Sequence, residues 1–313
     1  MKSLKFFLIG ILIPAPIWFG LNFTEARLED FFVGQIYLPS QASLIPVNTA
    51  VGTVMPSDLP APPVIDAKAA LTLMIDPNGR QSTIFEQNSE QSQPIASLTK
   101  LMTAVIVLEH QSLSKEIIIS SSSVAQEGDS GNLKAGEKIA ISELLKMTLI
   151  ESSNDAAEAL AESYGKDDFI VLMNSKVNSL KMGSSHFSNA TGLEAEDNFS
   201  TAKDLAVLGE FILKIHPIIF NISSKPSVTI SYRDGGLHHL AINTNELLLD
   251  QPGDLKIVGG KTGYTQEAGG CIILVLEDEK GNYFINVILG ANSAEARFQE
   301  MGKLIDWIQG FNF

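Results

Sequence analysis

Two side chains in the segment PIASLTKLMTAVIVLEH, residues 94–110, are out of character with their neighbours. Ser97 and Lys100 stand three residues apart at the start of a run that is apolar almost all round: Leu98, Leu101, Met102, Ala104, Val105, Ile106, Val107 and Leu108. On a helix that spacing places the two on one face and within reach of each other. A helix apolar on every side is a central one, so its polar start is expected to face a cleft. Burial and the positive end of the helix dipole both disfavour the ammonium form of Lys100, and a lysine so placed can act as a base toward the hydroxyl. Ser97 also brings a backbone N–H without an intrahelical partner, available to an oxyanion. The plain alternative is an N-cap serine with a lysine reaching outward to water. S-x-x-K recurs at Ser112, Ser163 and Ser200, so context rather than spacing singles out the first.

Two other stretches could supply partners. In ESSNDAAEALAE, Ser152, Ser153, Asn154 and Asp155 fall between two helical patterns, where capping of the second explains part of the composition. A rival S-x-N stands at 130–132, in a loop. GGKTGYT places Lys261, Thr262 and Gly263 on a strand, and K-T-G occurs once. Its glycines permit close backbone approach by a ligand, and an ammonium and a hydroxyl on one edge can hold a carboxylate. An edge strand with a solvated lysine is the alternative there.

The elements that must position these groups follow from periodicity. AALTLMID, the turn PNG and STIFEQ predict a β-hairpin. A helical block follows, with helices over Ser97 to about His110, 141–150, 154–165, DDFIVLMNSKVNSLKMG and TAKDLAVLGEFILKIHP, the fourth closed by Gly183 as C-cap. SVTISYRD, KIVGGKTGY, GGCIILVLE and YFINVILGA read as strands, the last two joined through DEKGN, and SAEARFQEMGKLIDWIQGF as a closing amphipathic helix. Strands at both ends with helices inserted between them imply a single α+β domain, its sheet assembled from N- and C-terminal pieces.

Composition narrows the class. A chain of 313 residues, 45% hydrophobic, has a substantial core. Its net charge of -14 argues against nucleic acid as a partner and leaves no polybasic patch for anionic lipid. The single cysteine, Cys271 in CIILVL, reads as a small buried hydrophobe, and no intramolecular disulfide is possible. The pair His238 and His239 lacks zinc-site spacing, so no metal is expected. Two early lysines followed by the apolar stretch Phe6 to Phe23 mark residues 1–37 as an export signal or membrane anchor. Residues 38–67, rich in proline and small side chains, read as a tether, and 68–313 as the folded domain.

The order S-x-x-K, S-x-N, K-T-G resembles the penicillin-recognising serine acyltransferases. ASLTKLMTA, LKAGEKIAISELLKMTLIESSNDAAEALAE, TGLEAEDNFSTAKDLAVLG, NTNELL and GGKTGYT together look like the D-alanyl-D-alanine carboxypeptidases, the low-molecular-mass penicillin-binding proteins, over roughly residues 68 to 290. The resemblance selects Ser152 over Ser130 and implies a β-lactamase/transpeptidase-like fold. It implies that Ser97 attacks the carbonyl between two terminal D-alanines, with Lys100 as proton acceptor. Ser152 would lie between the two lysines and relay the proton to the leaving amine, while Asn154 would orient Lys100 and the substrate amide. Lys261 and Thr262 would bind the terminal carboxylate beside Gly263, the charge of Lys261 would depress the basicity of Lys100, and the N–H groups of Ser97 and Tyr264 would form the oxyanion hole. No cofactor is implied. The implied partners are a peptidoglycan stem peptide, β-lactam antibiotics as acylating inhibitors, and a membrane through the N-terminal segment. Glu194 and Asn198 mimic the E-x-x-x-N of class A β-lactamases by accident, because the segment around them fits the carboxypeptidases better. Many such proteins carry a second, β-rich domain and a C-terminal amphipathic helix with no counterpart after Phe313, so anchoring is expected at the N-terminus. A D,D-endopeptidase, a β-lactamase and a non-catalytic peptidoglycan-binding protein remain as alternatives.

Overall fold

The computed structural model describes residues 61–128, 131–249 and 252–311. The expected signal or anchor and most of the expected tether lie outside the described residues. In chain order the elements are β1 (Ala69–Ile75), β2 (Gln81–Gln87), the short β3 (Gln93–Pro94), α1 (Thr99–His110), β4 (Glu116–Ile118) and β5 (Lys138–Ala140). Then come α2 (Ile141–Ile150), α3 (Asn154–Tyr164), α4 (Lys166–Leu180), β6 (Phe199–Ser200), α5 (Ala202–Ile215) and α6 (Ile218–Ser223). β7 (Ser227–Ser231), β8 (Leu237–Ile242), β9 (Lys256–Thr265), β10 (Gly269–Glu277), β11 (Tyr283–Ala291) and α7 (Ala296–Gln309) complete the chain.

One antiparallel sheet, ordered β2-β1-β11-β10-β9, joins the two ends of the domain. The closure runs along β1 and β11, from Ala69 opposite Leu289 to Ile75 opposite Tyr283. Both faces are covered, which explains why β10 reads as an unbroken apolar run. Cys271, Ile273 and Val275 point into the core shared with the helical block, while Ile272, Leu274 and Leu276 point to Met301, Leu304 and Ile308 of α7. Burial pushes the Cys271 thiol up to about 11, in keeping with a packing role. α1 is buried from Thr99 through Val107, the central helix its composition requires. Near the start of the described chain, Ile65 is buried and the Asp66 N–H donates to Glu300 on α7 at 2.9 Å, so residues next to β1 touch the body.

Two local expectations fail. α4 ends at Leu180, with Lys181 rather than Gly183 in the left-handed conformation at φ 59°. The Met182 N–H bonds back to the Val177 carbonyl at 3.0 Å and the Met182 side chain is fully buried, so a hydrophobic anchor turns the chain before the glycine is reached. Ser97 lies in a 3₁₀ turn, Ala96–Leu98, just ahead of α1 rather than in its first turn.

Candidate active site

The turn that carries Ser97 is held under strain. Ala96 takes φ 47°, a left-handed conformation that costs an alanine roughly 1–2 kcal/mol. The loop at Gly192 presses on it so closely that an added Cβ there would sit 2.0 Å from the Ala96 carbonyl oxygen. Lys100, on α1, is wholly buried, and its Nζ lies 2.8 Å from Ser97 Oγ, 2.7 Å from Asn154 Oδ1 and 2.5 Å from the Thr191 carbonyl. Burial lowers the Lys100 ammonium from 10.5 to about 7. A neutral amine has two N–H groups and one lone pair. Asn154 Oδ1 and the Thr191 carbonyl can only accept, so they take the two N–H groups and the lone pair faces the Ser97 hydroxyl. The Asn154 amide is itself fixed, its Nδ2 donating to the Glu127 carbonyl at 2.5 Å.

The junction between α2 and α3 separates capping from chemistry. Ser153 is the N-cap, its hydroxyl accepting from the Ala156 N–H at 3.1 Å, which leaves Ser152 free of that duty. Ser152 is left-handed, φ 65°, and its Oγ accepts from Lys261 Nζ at 2.8 Å. Lys261 is buried on β9 and donates also to the Thr262 carbonyl at 2.8 Å. Burial first, then the charges of Lys100 and Arg297, hold Lys261 well below the usual lysine range. The expected influence of Lys261 on Lys100 is thus reversed in emphasis: burial sets Lys100, and the charge of Lys100 acts on Lys261. Ser152 bonds to Lys261, whereas the short contacts of Lys100 run to Ser97, Asn154 and Thr191.

Further along β9, a Cβ on Gly263 would lie 2.9 Å from the Ser97 nitrogen, so glycine is what lets the strand lie against the Ser97 turn. Thr262 Oγ1 pairs with Thr244 Oγ1 at 2.6 Å, and the Tyr264 side chain is half-exposed at the rim. Three groups here escaped sequence reasoning: the Thr191 carbonyl, the Thr244 hydroxyl and Arg297. Arg297 is buried, donates from Nη1 to the Gly263 carbonyl at 2.9 Å, and has an Nε without a hydrogen-bond partner among the described residues. A cation in the first turn of α7 opposes the helix dipole, and that is the signal by which it could have been found. Lys100, Lys261 and Arg297 thus converge in a chain of net charge -14, and the Arg297 guanidinium, the strongest base of the three, is suited to an anionic group on the ligand.

A hydroxyl aimed at an amine that is half neutral near pH 7, beside a strand edge that carries a second buried lysine, is an arrangement that can carry out serine acyl transfer with a lysine as base. Comparison with known proteins narrows this. The sequence profile of the family described as D-alanyl-D-alanine carboxypeptidase matches residues 57–293. The D-alanyl-D-alanine carboxypeptidase DacD of Salmonella typhimurium is 31% identical over 288 residues, covering 88% of this chain and 71% of its own. A D-alanyl-D-alanine endopeptidase of Pseudomonas aeruginosa is 29% identical, covering 84% of each chain. Penicillin-binding protein D2 from Listeria monocytogenes, solved with cefotaxime bound, superposes with a TM-score of 0.68 at 31% identity, covering 79% of this chain and 99% of its own. The chain belongs to the D-alanyl-D-alanine carboxypeptidase family, and its α+β fold is that of the serine transpeptidases, as the motifs imply. It spans less than two thirds, 62 to 63%, of two other carboxypeptidase relatives.

Proposed function

We propose that this protein is a serine-type D-Ala-D-Ala carboxypeptidase that trims peptidoglycan stem peptides through an acyl-enzyme. The observation that carries the reading is the 2.8 Å contact between Ser97 Oγ and the buried Lys100 amine, with the other two partners of that amine restricted to accepting. Ser97 Oγ attacks the carbonyl of the penultimate D-alanine as its proton passes to Lys100 Nζ. The oxyanion that forms is met by the N–H groups of Ser97 and Tyr264, a device worth about 3 kcal/mol per donor. Collapse breaks the C–N bond as the leaving amine takes the Ser152 hydroxyl proton; the proton held by Lys100 then passes to Ser152 Oγ, which Lys261 orients, and leaves Lys100 neutral again. Water, giving a proton to Lys100, attacks the ester carbonyl, and Ser97 Oγ departs with that proton. Lys261, Thr262 and Arg297 receive the terminal carboxylate, and Asn154 orients both Lys100 and the substrate amide. β-Lactams would acylate the same hydroxyl, a reading supported by the cefotaxime complex of the Listeria relative.

Residues 1–37, with two lysines ahead of an apolar stretch, support export and anchoring at the cell envelope. No helix among the described residues is long and apolar enough to cross a membrane. Cleavage of cross-links is the second reading, favoured by the equal 84% coverage against the Pseudomonas endopeptidase. The deciding experiment measures free D-alanine released from a pentapeptide ending in D-Ala-D-Ala, against cleavage of a cross-linked dimer. D-alanine release that Ser97→Ala abolishes confirms the carboxypeptidase. Cleavage of the dimer alone transfers the site to the endopeptidase reading, and an unlabelled, folded wild type in the presence of fluorescent penicillin refutes both.

A further inference from the structure

β8 carries two histidines that the chemistry above does not use. Consecutive residues on a strand point to opposite faces, yet His238 Nδ1 and His239 Nδ1 lie 2.6 Å apart, next to a register shift in the β7–β8 ribbon. His239 Nε2 is 3.0 Å from both carboxylate oxygens of Glu151. His238 Nε2 is 3.4 Å from Glu137 Oε2, which also accepts the Tyr232 hydroxyl at 3.0 Å. The four side chains are nearly buried, between 4% and 13% exposed, so these contacts are not diluted by water.

Two ring nitrogens 2.6 Å apart need one proton between them, since two bare lone pairs, or two N–H groups, would repel at that distance. A second proton, on His239 Nε2, serves the Glu151 carboxylate. Glu151 is the residue before Ser152 and caps the C-terminal end of α2. Ser152 is left-handed, a conformation that persists only where its surroundings enforce it.

We propose that His238 and His239 form a hydrogen-bonded clamp that, through Glu151, holds the Ser152 turn in the position that serves Lys261. The clamp rests on the acyl-transfer reading for its consequence, but not for its existence. The groups facing it are Glu137 ahead of β5, Tyr232 from the β7–β8 turn, and Glu151 at the end of α2. Glu143, earlier on α2, accepts the Ser231 N–H at 3.2 Å and pairs with Lys146, while Glu116 pairs with Arg233 at 3.2 Å on the outside of the ribbon. Burial raises the Glu151 carboxyl, and the bond from His239 opposes that rise. Removing the His239 ring or the Glu151 carboxylate breaks this chain of contacts, slackens the Ser152 turn and slows acylation.

The test compares the full-length wild type with His239→Gln and Glu151→Gln, using single-turnover labelling over a range of fluorescent penicillin concentrations and ¹⁵N spectra of the imidazoles. Folded variants whose acylation rate at saturating penicillin falls about ten- to a hundredfold, with the half-saturating concentration little changed, support the clamp. So does an imidazole proton shared between the two rings in the wild-type spectrum. Variants that acylate like the wild type, or two rings with no shared proton, overturn it. Should the wild type take no label, the acyl-transfer reading falls, and the imidazole spectrum alone still decides the clamp.

Discussion

Acylation of Ser97 should rise with pH through about 7, because only the neutral form of Lys100 has a lone pair for the serine proton. A lysine at its ordinary value of 10.5 is neutral in roughly one molecule in three thousand at pH 7, and at about 7 it is neutral in half. The difference corresponds to about 5 kcal/mol at about 1.4 kcal/mol per pH unit. Its cause is burial, so no discount for solvent screening applies to a side chain with no exposure. At pH 5 the neutral fraction drops to about one in a hundred, and acylation should be about fiftyfold slower than at pH 7. Between pH 7 and 8 it should gain no more than about twofold. Single-turnover labelling with excess penicillin measures this directly, free of deacylation. A profile flat from pH 5 to 7, or one still climbing through pH 9, would refute the assignment of Lys100 as the base.

Other consequences can be measured alongside. Between pH 7 and 10.5 the unfolded chain binds a proton at Lys100 that the folded chain lacks, so folding stability should increase with pH across that window. Lys100→Met should flatten this rise in denaturant titrations, in part only, because Lys261 is shifted in the same direction. Gly192→Ala would place a Cβ 2.0 Å from the Ala96 carbonyl oxygen at a backbone φ of +83°, and should cost about 2–4 kcal/mol in thermal unfolding while slowing acylation. Arg297→Gln should lower kcat/KM for a peptide with a free terminal carboxylate by about ten- to a hundredfold, and should make little difference with the C-terminally amidated peptide.

Where one physical signal dominates, sequence and structure agree to within a residue. α2 spans the ten residues its pattern marks, and α3 begins where Ser153 caps it. β10 reads correctly as a strand because its apolar run is bounded by Gly269 and Gly270 and the hairpin DEKGN. α6 and β8 were not legible for opposite reasons. α6 is only six residues long, too short for a helical period to stand out, and it directly follows Pro217. β8 carries two histidines in mid-strand, and they are held by partners on other elements rather than by the alternation that marks a strand. At the site, side chains in motifs were legible, while what completes them was not. The Thr191 carbonyl is backbone and carries no residue signature. Arg297 meets Gly263 across 34 positions of chain, a juxtaposition that only the pairing of β9, β10 and β11 with α7 above them creates.

That dependence on closure explains why strain gathers around these residues. Of the five non-glycine residues with positive φ among the described residues, Ala96 precedes Ser97 and Ser152 is itself in the candidate site. Neither conformation is favoured locally, and each is over-determined from distant parts of the chain. Ala96 is hemmed in by Gly192 from one side and by Gly263 of β9 from the other. Ser152 is held by Lys261 of β9 and, through Glu151, by His239 of β8. β9 contributes to both, so the strand that carries Lys261 and Thr262 also sets the two backbone turns. An isolated helical block would retain Ser97 and Lys100 in sequence but would relax both turns. The lysine could then reach water and recover its proton, and the buried amine beside Ser97 would be lost.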